Sequence, residues 1–409
     1  MIDLIILKKR IGPVLGRHPW VFSGAIKNIP DGIKSGEPVR LFSEDGRFLS
    51  AGYFNSYSQI AVRVWSWNET EKVDEIFFEN RIKQANELRA KLVLNKKTDS
   101  CRLINSESDL LPGLIVDKYG DYLSVQFHNK GIEKYKKEII ESLVKIIKPK
   151  GIYERSDVGN RAKEAFSNLV LSSTDAKQDL KEDLVGVLYG KVPASVNILE
   201  NGYKFLIDIK TGQKTGFFLD QRDKRLALQK YCEGKKVLNC FSYTGGFSVY
   251  AAAAGAKKTA SVDVSQPALD LARENFKLNK LNFKNASFAC EDVKKFLADL
   301  EPGKSEYDVI ILDPPAFIKD RHKIKEGIIG YKKINELAMR LLPPGGILVT
   351  CSCSQHLSLV DFRHLISESA GRAGRTVQIL ETYTHGIDHP QLVAFTEGEY
   401  LKCVFALVI

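Results

Sequence analysis

Acids stand where a parallel sheet would present them to a ligand. Strand-like runs end at Asp263, at Glu291-Asp292 and at Asp313, and another ends in the turn Asn239-Cys240-Phe241-Ser242-Tyr243-Thr244-Gly245-Gly246-Phe247. In an open α/β sheet, ligands bind beyond the carboxyl ends of the strands, so these are the residues to read first. Gly245 and Gly246 let backbone approach a ligand closely and offer the N–H groups of a helix N-terminus. The turn is neither G-x-G-x-x-G nor a Walker A loop, which favours a nucleoside without a pyrophosphate over NAD or ATP. Asp263 can accept both hydroxyls of a ribose, and Asp292 is set to meet an adenine amino group. Two close-set thiols, Cys351 and Cys353, end a further strand.

This series of strand-end residues resembles a class I S-adenosylmethionine-dependent methyltransferase. A cationic sulfonium, a ribose and an adenine need acids and close backbone rather than a phosphate cradle. The resemblance implies S-adenosyl-L-methionine as cofactor, with Phe241, Ser242, Tyr243, Thr244, Gly245, Gly246, Asp263, Asp292 and Asp313 around it. Just upstream, Thr211 to Arg225 mixes turn glycines, two phenylalanines and a dense polar cluster. Here Gln221 would hydrogen-bond the methionine part and Arg222 would clamp its carboxylate. Lys214, Lys224 and Arg225 would meet RNA phosphates. The plain alternative is a helix start capped by Asp220 with solvated charges.

Four stretches make the resemblance more specific: Gly212-Gln213-Lys214-Thr215-Gly216-Phe217-Phe218-Leu219-Asp220-Gln221-Arg222, the turn at 239–247, Asp313-Pro314-Pro315-Ala316-Phe317, and Ser352-Cys353-Ser354. Together with Asp388-His389-Pro390 and Glu399-Tyr400-Leu401-Lys402, they resemble the RlmI family of ribosomal RNA large-subunit cytosine-C5 methyltransferases. The likeness runs the length of the chain. It implies an N-terminal PUA RNA-binding domain, to which residues 8–65 are similar, a central α+β domain and the methyltransferase domain. It also implies a chemistry. C5 of cytosine is a poor nucleophile until a thiolate adds to C6, so covalent catalysis needs one thiol over the base. Cys353 matches the family's Ser-Cys-Ser and is the expected nucleophile. Cys351, two residues back on the same strand face, competes with it. Asp313 would hydrogen-bond the cytosine edge. Ala316 stands where some cytosine-C5 enzymes carry another cysteine after Pro-Pro. The implied partner is ribosomal RNA, 23S by likeness, with a homodimer as a further expectation.

The elements that must position these residues are legible in outline. Within a first domain expected over 1–72, residues 1–68 read as β-rich, with runs such as Val39–Phe42 and Ile60–Trp65 between turn clusters. Residues 1–68 hold nine Lys/Arg against five Asp/Glu. Basic residues near aromatics (Arg17 with Trp20, Arg63 with Trp65) suit phosphate contact and base stacking, and Lys9 and Arg10 are further candidate RNA contacts; the plain alternative is a small β-barrel with basic residues on a solvated face. Residues 73–190 read as α+β: a helix over 74–94, a hairpin at 114–127, a helix over 132–147 and a strand at 152–155. Asn201-Gly202 is the strongest hairpin turn. Within 191–409, from Lys235 onward, strands alternate with helices, which predicts a doubly wound, Rossmann-like α/β methyltransferase domain with a mostly parallel sheet.

Composition narrows the classes. The 409 residues carry 60 Lys+Arg and 50 Asp+Glu, are 44% hydrophobic and 27% charged, and have a pI near 9.0. That excludes a mainly disordered chain and fits a polyanionic partner. No apolar run approaches the ~18 residues of a membrane span, so a cytoplasmic protein with no membrane partner is expected. Seven cysteines without a C-x-x-C pair argue against a disulfide framework or zinc ribbon. His356 and the His385/Asp388/His389 group have no recognised ligand spacing, and no metal is expected. The nearest rival is a ribosomal guanine N7 or N2 enzyme, which needs no thiol. From another class, an RNA-binding protein with a vestigial cofactor site competes.

Overall fold

The computed structural model describes residues 1–156, 184–301 and 306–409. Part of the central segment, 157–183, thus lies outside the described residues. The chain forms two compact units: Met1–Ile198 with Ile207–Leu219 and Ile387–Gly398, and Leu199–Leu206 with Asp220–Gly386 and Glu399–Ile409.

The first unit holds two sheets. β1 (Ile2–Ile6), β2 (Trp20–Phe22), β3 (Pro38–Ser43), β4 (Phe48–Phe54) and β5 (Ile60–Ser66) lie in the order β1-β3-β4-β5-β2. Leu4, Ile6, Val39, Leu41, Val62 and Val64 close its core. β6 (Cys101–Asn105), β7 (Leu114–Tyr119), β8 (Tyr122–Phe127), β9 (Gly151–Arg155) and β10 (Val185–Gly190) form the second sheet, in reverse order from β10. The helices Glu75–Leu92 and Lys136–Ile147 contribute Phe78, Ile82, Ile139 and Leu143 to its core. Asp74 caps the first of these, accepting from the Phe77 N–H at 3.1 Å. Tyr53 and Trp65 of the first sheet also enter this second core, so residues 1–72 and most of 73–190 share one unit.

The single helix expected over 132–147 is two helices, Lys130–Glu133 and Lys136–Ile147. Tyr135 leaves the helical conformation between them, and its ring packs 5.3 Å from Trp65 and 5.0 Å from Phe78. The burial of that ring overrides local helix propensity. The hairpin of β11 (Ser195–Glu200) and β12 (Tyr203–Asp208) turns at Asn201 and Gly202, both at positive φ, as the dipeptide requires.

The second unit is built on a seven-stranded sheet: β13 (Lys236–Cys240), β14 (Lys258–Asp263), β15 (Ala286–Cys290), β16 (Val309–Leu312), β17 (Gly346–Ser352), β18 (Val377–Tyr383) and β19 (Lys402–Val408). The order is β15-β14-β13-β16-β17-β19-β18. The first five strands are parallel, and β19 pairs antiparallel with both β17 and β18. Side chains alternate between two apolar layers. Leu238, Cys240, Ile310, Leu312 and Leu348 face Tyr331, Ile334, Ala338, Phe362 and Leu365. Val237, Val309, Ile311, Val349 and Cys351 face Ala227, Leu228, Phe247 and Ala251. Both faces are covered, as a doubly wound α/β sheet demands.

Candidate active site

From β13 the chain builds outward to β14 and β15 on one side, and later to β16 and β17 on the other. The adjoining carboxyl ends of β13 and β16 are therefore a topological switch point. Phe241 (φ 59°), Tyr243 (φ 47°) and Gly245 (φ 75°) take left-handed conformations in the turn after β13. Glycine is required at 245, where a Cβ would come 2.8 Å from the Ala272 Cβ. Asp263, ending β14, fixes this turn by accepting from the Tyr243 N–H at 2.8 Å and the Ser265 N–H at 2.9 Å. Asn275 Nδ2 donates to the Thr244 carbonyl at 2.9 Å, tying the next helix to the same loop.

Across the switch point, Gln221 Nε2 donates to Asp313 Oδ1 at 2.9 Å. This joins the polar cluster before the sheet to the Asp-Pro-Pro loop after β16. Among the described residues, Gln221 Oε1, Ser242 Oγ and Thr244 Oγ1 are buried without a hydrogen-bond partner. Buried polar atoms of this kind are costly unless a ligand meets them. Together with Asp263, they fit a nucleoside cofactor. Gly246 and the buried Phe247 begin the helix Gly246–Ala253. Asp292 is exposed, and one of its oxygens caps the helix Val293–Asp299 through the Lys295 N–H at 3.0 Å. Arg222 is buried, with Nε 3.3 Å from Asp223 Oδ1.

Two expected phosphate contacts are corrected by this geometry. Lys224 is fully buried and donates to the Asp220 carbonyl. Arg225 is buried in a bidentate pair with Glu200, at 2.8 and 2.7 Å. Both cations point into the fold, where an RNA backbone cannot reach them. Lys214 is exposed, its ammonium 4.4 Å from the Phe218 ring. Lys9 and Arg10 are exposed in the turn Lys8–Arg10, and the exposed Arg17 lies over the Trp67 ring at 5.4 Å. Trp20 is half-buried. Its indole N–H donates to Glu107 at 2.8 Å and its ring packs on Phe395, so much of its surface is committed to packing.

The two thiols part company. Cys351, inside β17, is fully buried opposite Cys403, and burial pushes its thiol well above the ordinary range. Cys353 lies just past the strand end and is half-buried, with Sγ 3.8 Å from the Pro314 carbonyl. It therefore borders the same loop that carries Asp313. Tyr331 donates to or accepts from Ser354 Oγ at 2.9 Å. Lys402 Nζ donates to the Ser354 and Tyr400 carbonyls at 2.7 and 2.9 Å. Neither Tyr331 nor Lys402 was expected at the site. The available signal was a lysine heading the otherwise apolar strand Lys402-Cys-Val-Phe-Ala-Leu-Val. His356 is exposed, and His389 is buried with Nδ1 3.1 Å from Asp388 Oδ1. Among the described residues, no group of three or more His, Cys, Asp or Glu side chains is arranged to hold a metal ion.

Comparison with known proteins assigns this architecture. Residues 176–395 match a family model described as S-adenosylmethionine-dependent methyltransferase, and residues 4–67 match a PUA-like domain. A curated relative from Aeromonas salmonicida, ribosomal RNA large subunit methyltransferase I, is 43% identical over 98% of this chain and 97% of its own. The chain belongs to the ribosomal RNA large subunit methyltransferase I family. Its members use S-adenosylmethionine. A solved Streptococcus mutans structure shares the fold over all of both chains (TM-score 0.83, 24% identity). A second, described as complexed with SAH, matches to the same extent. No described helix is long and apolar enough to cross a membrane.

Proposed function

We propose that this protein methylates C5 of a cytosine in 23S ribosomal RNA, with Cys353 as the covalent nucleophile. The observation that carries this reading is the half-buried thiol at the end of β17, against the Pro314 carbonyl of the Asp313 loop. Its rival Cys351 is sealed within the sheet. Nitrogen methylation would require no thiol at this position.

S-adenosylmethionine, when bound, supplies an electrophilic methyl group. Asp263 would take its ribose hydroxyls, Asp292 its adenine amino group, and Gln221 with Arg222 its methionine part. Ser242 and Thr244, with the left-handed backbone from Phe241 to Gly245, would line the remainder. The target cytosine must be unstacked to enter. Asp313, held by Gln221, would accept from its exocyclic amine and align the ring over Cys353. The Cys353 thiolate then adds to C6, the C5–C6 double bond opens, and C5 gains the electron density to take the methyl group. A base then takes the C5 proton, the electron pair of that C–H bond re-forms the C5–C6 double bond, and the thiolate is expelled from C6. Exposed Lys9, Arg10, Arg17 and Lys214 would meet RNA phosphates, and the PUA-like domain would carry much of the affinity. Work on ribosomal RNA implies a cytoplasmic site of action.

The test is a trapping assay with RNA containing 5-fluorocytidine, which blocks proton loss. Wild-type protein should form a denaturation-resistant adduct in the presence of S-adenosylmethionine, and Cys353→Ala should not. Loss of the adduct only in Cys351→Ala would reassign the nucleophile. No adduct, alongside methyl transfer to unmodified ribosomal RNA, would favour a guanine-nitrogen product.

A further inference from the structure

Lys402 is among the most deeply buried cations of the second unit. It opens β19, paired in register with Ser352, the last residue of β17. Alternation sends Cys351 and Cys403 to the layer containing Leu228 and Phe247 and turns Lys402 to the opposite face; β17 ends at Ser352, so the alternation does not extend to Cys353. Its Nζ donates to two carbonyls, one of them on Ser354, the residue after Cys353. It makes no ion pair among the described residues. A buried ammonium satisfied only by carbonyls is expensive unless an anion shares its surroundings.

The groups facing this spot come from three elements. Cys353 and Ser354 follow β17, Tyr331 comes from the helix Ile324–Leu341, and Glu399 precedes β19. Burial pulls the Lys402 ammonium down to about 8, and the Cys353 thiolate and Glu399 oppose that shift. Tyr331 is pushed up by burial and then by the Cys353 charge. Both neighbours therefore sense the charge on Cys353, and the coupling is reciprocal.

We propose that Lys402 is the cationic support of the Cys353 thiolate, a positioning residue that keeps the thiol ionised and anchors its backbone through the Ser354 carbonyl. The proton leaves Cys353 for solvent, and the resulting thiolate pairs with an ammonium that folding has already desolvated. This rests on Cys353 being the nucleophile, but its test does not.

The experiment is alkylation of the whole protein with iodoacetamide across pH, read by peptide mass at Cys353, with exposed Cys290 as the internal standard. In the unaltered chain, the Cys353 midpoint should lie below that of Cys290; a midpoint equal to or above it overturns the proposal. Lys402→Met should raise the Cys353 midpoint by about one unit or more and slow its alkylation at pH 7 about tenfold, leaving Cys290 unmoved. Lys402→Arg should keep most of the wild-type midpoint. A Cys353 midpoint unchanged in a folded Lys402→Met protein overturns the idea. The fluorocytidine adduct should fall in parallel at pH 7 and recover near pH 9. If Cys353→Ala still methylates RNA, the nucleophile reading fails, while the alkylation shift still reports on the pair.

Discussion

Replacing Arg225 by methionine isolates the energetics of a buried pair. Arg225 donates twice to Glu200, both side chains are buried, and Tyr250 adds a third donor to Glu200 at 3.0 Å. Arg225→Met keeps the apolar volume of the stem but leaves the Glu200 carboxylate buried with only the Tyr250 hydroxyl of these donors. Removing one partner of such a pair costs about 3–5 kcal/mol. For a unit of this size, that is a fall in melting temperature of roughly 6–20 °C. The assay can separate the two units, because all three tryptophans (Trp20, Trp65 and Trp67) lie in the first. Tryptophan fluorescence then reports the first unit, while cofactor-binding capacity reports the second. The urea midpoint for loss of S-adenosylmethionine binding should drop markedly in Arg225→Met. Adding Glu200→Gln should recover part of the loss, since it removes the stranded charge. The salt dependence of RNA binding should not change, because Arg225 does not reach the surface. A stability loss below about 1 kcal/mol, or a reduced salt slope, would refute this account and restore Arg225 as a phosphate contact.

Three further outcomes follow from the geometry. Gly245→Ala forces a side chain into φ 75° and against Ala272, so it should cost about 1–3 kcal/mol and weaken S-adenosylmethionine binding measured by calorimetry. Lys9→Ala, Arg10→Ala and Arg17→Ala combined should reduce the slope of log affinity against log salt by roughly 2, measured by filter binding at several salt concentrations. At Glu381, burial pushes the carboxyl up, but hydrogen bonds from Lys230, Tyr231 and Tyr383 outweigh it and bring the group down to about 2. Its folded value lies below its unfolded one, so its contribution is present above about pH 4.5 and is lost as pH falls toward 2. Between pH 6 and pH 3, wild type should therefore lose about 1 kcal/mol beyond what Glu381→Gln loses, once solvent screening of a group open to water is allowed for, as urea midpoints would register.

The parallel strands were legible because a strand buried on both faces reads as an unbroken apolar run, as Val309–Leu312 does. The turn at 239–247 was legible because glycines mark left-handed backbone, although Phe241 and Tyr243 adopt it too without any such mark. β18 was not anticipated as a strand: Gln378, Glu381 and Thr382 break its pattern, and it is ordered by pairing with β19. Lys224 and Arg225 misled for a related reason. Charge signals surface by default, and their burial depends on Asp220 and on Glu200, a residue 25 positions earlier on a hairpin. Two cysteines on one strand face were indistinguishable by alternation alone. What separates them is that β17 ends at Ser352, one residue short of Cys353.

That strand end explains why the chemistry gathers here. Inside β17, a thiol pays full desolvation on ionising, as Cys351 does beneath Cys403. One residue past the last ladder bond, the same side chain reaches the carboxyl edge, where the Asp313 loop, the Tyr331 helix and Lys402 converge. The antiparallel β19 is what makes this convergence available. A parallel strand at that position would run the other way and present its carboxyl end, not its first residue, to the site. Running antiparallel, β19 sets its opening lysine level with the end of β17. The reversed strand, absent from the sequence-based outline of the sheet, thus carries a buried cation bonded to the backbone of the residue that follows the candidate nucleophile.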